Sequence, residues 1–370
     1  MINRLTPKVI AFYLPQFHRI PENDRWWGPG FTEWTNTRKA VPLFPGHYQP
    51  REPYRDYYYY LTDPEARQWQ ANIAREYGVY GFCYYHYWFK GKMLLETPFN
   101  EVLRTGEPDF PFCLCWANHH WRRTWIDGSD HDEFLMIQEY GDYPDWKIHF
   151  EYLLEAFKDK RYIRVDNKPL FSVYVPWHIE RLDEMFCYWD QLAKQNGLDG
   201  IYFAEVLSHS NPNPHTSSCI HARIDFEPFY TIVQHHQHNL ASQLLKHVTG
   251  FDSQAIRLYD YDTVWQGILN RVPLPDKPAF LGAFIDWDNT ARMGKNALIF
   301  DGASPDKFGY YFSQLIQKAI QIKSEFVFIN AWNEWSEGTY LEPDKRYGFG
   351  YLEQVKKSTS ILNKKSTFQN

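Results

Sequence analysis

The stretch Phe326–Asp344, FVFINAWNEWSEGTYLEPD, joins a five-residue apolar run to a cluster of charges and rings. FVFIN has the length and composition of a buried strand, and the residues after it set Glu334 and Glu337 among Trp332, Trp335 and Tyr340. Parallel sheets place ligands at the C-terminal ends of their strands, so this is where a site belongs. Two nearby carboxylates can divide acid and base work, and flat rings can stack on a pyranose.

Working outward, seven more runs of similar kind precede it: KVIAFY at 8–13, VYGFCYY at 79–85, PFCLCW at 111–116, KPLFSVY at 168–174, GIYFAE at 200–205, ARIDFEP at 222–228 and AFLGAF at 279–284. Eight is the number that closes a barrel. The first four are nearly continuous in apolar residues, as strands covered on both faces by helices are. Helical patterns lie between them, at DPEARQWQANIAREYG from Asp63, DYPDWKIHFEYLLEAFKDKRY, IERLDEMFCYWDQLAKQNG and SPDKFGYYFSQLIQKAIQIKS, with Asp63, Asp142 and Ser304 in cap positions. A last helix is expected at about 347–365, and a broken helix with an insertion at Gln234–Trp265. The alternation argues for an α/β fold, a single (β/α)8 TIM barrel over 1–370 with extended strand-to-helix loops. The first loop, 15–60, is long and dense in Trp, Tyr and Pro, which predicts a packed wall for the pocket, with Trp26, Trp27, Glu33 and Trp34 as its contacts.

In the chain of 370 residues, 44% hydrophobic content supplies a sizeable core. Aromatics reach 19%, many beside His, Asp or Asn, which suits carbohydrate surfaces or an aromatic-rich core. A net charge of -6 with both signs dispersed offers no footprint for nucleic acid. The first apolar stretch is too short for a secretory segment and no run reaches about 18 apolar residues, so no integral membrane segment and a cytoplasmic location are expected. Of the five cysteines, 83, 113, 115, 187 and 219, three sit in apolar strand-like runs, and Cys113 with Cys115 reads as buried thiols rather than a metal pair. His119, His120, Asp127, Asp130, His131 and Asp132 are close in sequence but lack a compact ligand spacing. No G-x-S-x-G elbow and no glycine-rich phosphate cradle come after a strand. The reading therefore calls for no metal and no cofactor.

In a barrel, the residues just past each strand face one mouth. They are Gln16 and His18, His86 and Trp88, Asn118 and His119, Tyr174 and Trp177, Glu205, Glu227, Asp286 to Asn289, and Glu334 with Glu337. Trp34, Trp88, Trp116 and Tyr340 are expected as stacking surfaces beside Trp335, and His86, Asn118 and Asn333 as hydroxyl binders.

Long ordered motifs carry a resemblance. AFYLPQFHRIPENDRWWGPGFTEWTN, YGVYGFCYYHYWFKGKMLLETP, DFPFCLCWANHHWRRTWIDG, RYIRVDNKPLFSVY, DWDNTAR and INAWNEWSEGTYLEPDKRYG look like the WbsX-like proteins of polysaccharide and lipopolysaccharide gene clusters. These are similar to glycoside hydrolase family 99, and the resemblance runs from about Lys8 to Leu352. It implies a (β/α)8 barrel acting on an oligosaccharide or polysaccharide in a polysaccharide assembly setting. By the same resemblance WNEWSEG supplies both carboxylates of a retaining α-mannosidase: Glu334 the base toward the sugar 2-OH, Glu337 the acid, with a 1,2-anhydro sugar between. Three readings stand: a glycoside hydrolase, a glycosyltransferase or transglycosylase of surface-polysaccharide assembly, and a non-catalytic glycan-binding barrel.

Overall fold

The computed structural model describes residues 6–123, 133–235 and 256–367. Eight parallel strands form its centre: β1 Lys8–Tyr13, β2 Val79–Phe89, β3 Phe112–Trp116, β4 Lys168–Val173, β5 Tyr202–Leu207, β6 Ala222–Asp225, β7 Ala279–Phe284 and β8 Phe326–Asn330. Each pairs with its successor in the chain, and β1 pairs with both β2 and β8, Ile10 lying opposite Gly81 and Phe328. The sheet is thus a closed barrel, and the helices between strands form its outer layer.

The apolar runs are explained by burial on both faces: from Val9 to Tyr13 no residue is more than 1% exposed. Phe12 meets Tyr85, Phe226 and Phe328 inside the barrel, while its neighbour Tyr13 packs on Phe82 and Tyr84 and donates to Gln70 of the first outer helix. Burying a ring such as Phe12 contributes roughly 1.5 to 3 kcal/mol.

The expected strands are all present, with shifted ends. β2 runs on to Phe89 because it pairs antiparallel with Lys92–Leu94 across a turn at Lys90 and Gly91, both of positive φ. β5 starts at Tyr202 rather than at Gly200, which has φ +102 and no room for a Cβ against Asp190 Oδ1. The helix Pro64–Glu76 is capped by Asp63, which accepts from Glu65 N, and Pro305–Gln321 by Ser304, which accepts from Lys307 N. The C-terminal helix spans Gly350–Thr367, three residues later at its start than expected. It packs on Pro305–Gln321, where Gly309 leaves room for Gln354.

The first loop carries two short helices, Pro21–Trp27 and Glu33–Lys39. Most of the expected Gln234–Trp265 insertion lies outside the described residues, as do Asp127, Asp130, His131 and Asp132; within them a helix spans Tyr261–Asn270. Cys83, Cys113 and Cys115, in the strand runs, are buried thiols, as expected; Cys187 is exposed and Cys219 half-buried, their sulfurs 3.4 Å apart. Among the described residues no helix is long and apolar enough to cross a membrane, and no group of three or more His, Cys, Asp or Glu could hold a metal.

Candidate active site

After β8 the chain doubles back on itself. Trp332 N donates to Phe12 O (2.7 Å), Asn333 binds Leu14 with both amide atoms (2.8 and 3.0 Å), and Thr339 Oγ1 donates to Asn330 O (2.6 Å). Glu334 pairs antiparallel with Thr339, and a single 3-10 turn, Trp335–Glu337, separates it from Gly338. Gly338 has φ +67, and a Cβ there would sit 2.9 Å from both N and O of Asp288. Only glycine meets both demands. The close approach lets Asp288 N donate to Glu337 O (2.7 Å), which ties the loop after β7 to the loop after β8.

That tie positions Arg292, on the short helix Thr290–Met293. Its Nη2 lies 2.8 Å from Glu33 Oε1 and 3.1 Å from Glu334 Oε2, and its Nη1 binds Glu337 Oε1. Glu33 arrives from the first loop, held by its N to Gln16 O (3.2 Å) and by Ser336 Oγ, which donates to Glu33 O (3.1 Å). One guanidinium therefore serves three carboxylates from two other loops, Glu33 from the first and Glu334 and Glu337 from the last.

That imbalance of charge shows in the acidities. Burial pushes the Glu334 carboxyl well above the usual carboxylate range, the charge of Glu337 pushes the same way, and Arg292 pulls against both. Glu337 is also raised, by burial first, with Arg292 opposing. Two like charges at one site resist double ionisation, so the pair retains a proton where isolated glutamates would not. Glu337 is the more open of the two, its side chain 22% exposed against 7% for Glu334. Tyr85, Tyr87 and Tyr174 lie in the field of Glu334, and burial foremost raises all three hydroxyls.

The other carboxylates past the strands are each committed elsewhere. Glu205 accepts from Arg223 Nε (3.0 Å) and His215 N (2.8 Å). Glu227 pairs with Arg271 and accepts from Thr231, and Asp286 pairs with Arg51 Nη2 at 2.9 Å. In Asp288 burial opposes ionisation, yet hydrogen bonds from His47 and Thr290 and the charge of Arg51 hold the carboxyl at about 2.

Several expected contacts fall outside the mouth. His86 and Trp88 alternate with Tyr85 and Tyr87 along β2 and so point into the helical layer. There His86 Nε2 meets His149 Nε2 at 2.8 Å, and Trp88 stacks on the His149 ring at 4.4 Å. Burial lowers His86 to about 3, which leaves it neutral. Trp116 packs against His149 and Trp189 in the same layer. Trp34 is buried among Phe17, Tyr59 and Trp335 with its Nε1 on Tyr59 O (2.8 Å), and Trp335 stacks on Tyr340 at 3.8 Å. With faces covered and N–H groups spent, these rings support the loop and are not platforms for a sugar. Asn333 and Asn118 are clamps, the latter on both N and O of Val175 (2.8 Å each), and both side chains are fully buried. Gln16 and His18 are buried behind Glu33; His18 Nδ1 donates to Pro15 O (2.8 Å), and burial brings the ring to about 4. Tyr174 and the pair Glu334 and Glu337 do meet at one place. Arg292, Tyr85 and Tyr87 join them there, as does Glu33 through Arg292.

The family model described as Glycosyltransferase WbsX matches residues 9–355 of the chain. Two curated proteins of Xanthomonas campestris pv. campestris, each named "Uncharacterized protein WxcX", are 34% and 35% identical over 96% of this chain and 50% of their own length. The chain thus spans about half the length of the curated relatives it matches. Among solved structures, a GH99 endo-alpha-mannosidase from Bacteroides thetaiotaomicron superposes with TM-score 0.55 at 14% identity, over 97% of this chain and 98% of its own. A glycoside hydrolase-like protein superposes with TM-score 0.60, also at 14%, over 96% and 94%. At such identities the likeness shows a shared barrel fold.

Proposed function

This chain belongs to the WbsX glycosyltransferase family, and from that membership we propose that it is a carbohydrate-active enzyme that breaks a glycosidic bond with Glu334 and Glu337. The observation that carries this reading is the single guanidinium of Arg292 shared among Glu33, Glu334 and Glu337. Elsewhere at the strand ends one arginine meets two carboxylates, Arg223 with Glu205 and Asp276, Arg271 with Asp225 and Glu227, and Arg51 with Asp286 and Asp288, whereas Arg292 meets three. Here burial and like charge raise both Glu334 and Glu337, so the pair holds a proton more readily than isolated glutamates, which suits a division into acid and base roles.

The substrate proposed is an α-mannoside or a similarly configured linkage in a polysaccharide. Glu334 takes the proton of the sugar 2-OH as O2 attacks C1, and the bond from C1 to the leaving oxygen breaks while Glu337 protonates that oxygen. Water then opens the 1,2-anhydro ring at C1 with both protons returned, so the anomeric configuration is retained. No carboxylate attacks C1, which suits two glutamates three residues apart on one loop. Burial and like-charge repulsion raise both carboxyls, so the pair retains a proton that either glutamate can carry. The assignment requires that proton on Glu337 when a sugar binds, and Arg292 Nη2 at 3.1 Å favours the anion of Glu334.

The family description favours a second reading, transfer to a sugar acceptor in place of water. Incubation with oligosaccharides, with and without nucleotide sugars, separates the two. Release of reducing sugar by water alone supports hydrolysis, whereas strict dependence on a nucleotide donor sinks it.

A further inference from the structure

Beyond the three carboxylates around Arg292, the same loop holds a fourth, Glu342, 3% exposed. Its Oε1 accepts from Gln70 Nε2 (2.7 Å) and Trp332 Nε1 (3.0 Å), and its Oε2 from Trp335 Nε1 (2.6 Å) and Tyr59 O–H (2.7 Å). Four donors on two oxygens fill the acceptor sites of an ionised carboxylate. Among the described residues no Lys, Arg or His forms an ion pair with it. The titratable groups that face it are Tyr57 and Tyr59 from the first loop and Tyr13 from β1. Tyr13 donates to Gln70 Oε1 (2.6 Å), so a chain of hydrogen bonds runs from β1 through Gln70 to Glu342. Arg67, three residues before Gln70 on the same helix, donates to Leu61 O (2.6 Å).

The two indoles flank Glu334 in sequence; the Glu334 backbone pairs with Thr339 of the same loop, and Glu337 is tied by its O to Asp288 N. We propose that Glu342 is a positioning residue for the active loop, its anion holding the indole N–H groups of Trp332 and Trp335 and with them Glu334 and Glu337. This rests on the reading that the latter two react.

A protonated Glu342 presents an O–H where four donors converge. Tyr59 can turn its hydroxyl to accept, but the indoles and Gln70 Nε2 can only donate, so at least one contact on the protonated oxygen weakens. Burial raises this carboxyl and the four hydrogen bonds lower it, for a balance at about 7. The loop is accordingly held from neutral pH upward and loosened below it.

The test monitors the indole N–H signals of Trp332 and Trp335 in nitrogen-15 tryptophan-labelled protein from pH 5 to 9, assigned with single Trp→Phe variants. Both signals should move together with one midpoint near neutrality, and Glu342→Gln should abolish that transition. On a glycan substrate, Glu342→Gln should lower kcat by roughly 10²-fold, the scale of a misplacement at a reacting centre, with KM little changed, and Glu342→Asp should restore part of it. Indoles that stay still between pH 5 and 9 in wild-type protein, or that still titrate in Glu342→Gln, would overturn the proposal. Titrating indoles in a protein that turns over no glycan would overturn the reaction proposed above and leave the anchor standing.

Discussion

Replacing Arg292 with Met removes the positive charge that, among the described residues, pairs with Glu33, Glu334 and Glu337, while keeping most of the side-chain stem. In the native site the guanidinium lies 2.8 Å from Glu33 and 3.1 Å from Glu334 and also binds Glu337. At an effective dielectric of about 20, one such contact at about 4 Å is worth roughly 4 kcal/mol before desolvation. Removing one partner of a buried pair costs about 3 to 5 kcal/mol. Glu334 and Glu337 limit that cost by taking up protons, so the loss depends on pH. Without Arg292 their folded-state values, already raised, rise further above the unfolded value of about 4.3. A raised carboxyl gives stability that is present below the unfolded value and lost as pH rises through the folded one. Urea unfolding monitored by circular dichroism should therefore find the variant about 3 to 5 kcal/mol less stable than wild type at pH 8, and much closer to it at pH 4.5. A deficit equal at both pH values, or below about 1 kcal/mol at pH 8, would refute the shared-charge account.

Other perturbations test other links. Asn333→Ala strips Leu14 N and O of their partners and should cost about 1 to 3 kcal/mol for each group left unpaired, read from denaturant midpoints. Gly338→Ala forces a positive φ on alanine and a Cβ against Asp288, and should lower the melting temperature and kcat together by displacing Glu337. His86→Phe disturbs the His149 and Trp88 stack outside the barrel, so it should change stability while KM for any glycan holds within about twofold, as for a side chain without substrate contact.

Strands and closure were legible because β1 to β8 are short runs covered on both sides, and that burial writes itself into composition. Which face of β2 looks inward was not, because Tyr, Trp and His occupy both faces of Tyr84–Trp88 and period two alone does not choose between them. The choice was still within reach: Gly81 and Cys83 share a phase with Tyr85 and Tyr87, and small residues suit a crowded interior better than Phe82 and Tyr84 do. Glu334 and Glu337 stand out by spacing alone. Glu205, Glu227 and Asp286 read as further substrate contacts at the mouth, since their arginine partners, Arg223, Arg271 and Arg51, reach them only through the fold. Arg292 lay inside DWDNTAR but carried no local sign that carboxylates from two other loops would converge on it. The rings of Trp34, Trp335 and Tyr340 read as platforms because sequence shows an aromatic face without showing what covers it.

The central claim, that Glu334 and Glu337 work as base and acid on one bond, is tested most directly by leaving-group dependence in the two Gln variants. Rates should be measured on paired substrates, one with a natural sugar leaving group and one with an activated aryl group. Glu337→Gln should lose about 10² to 10⁴-fold on the sugar leaving group and far less on the aryl glycoside, while Glu334→Gln should lose a comparable factor on both. Equal losses for both leaving groups in Glu337→Gln, or near-normal rates in both folded variants, would contradict it.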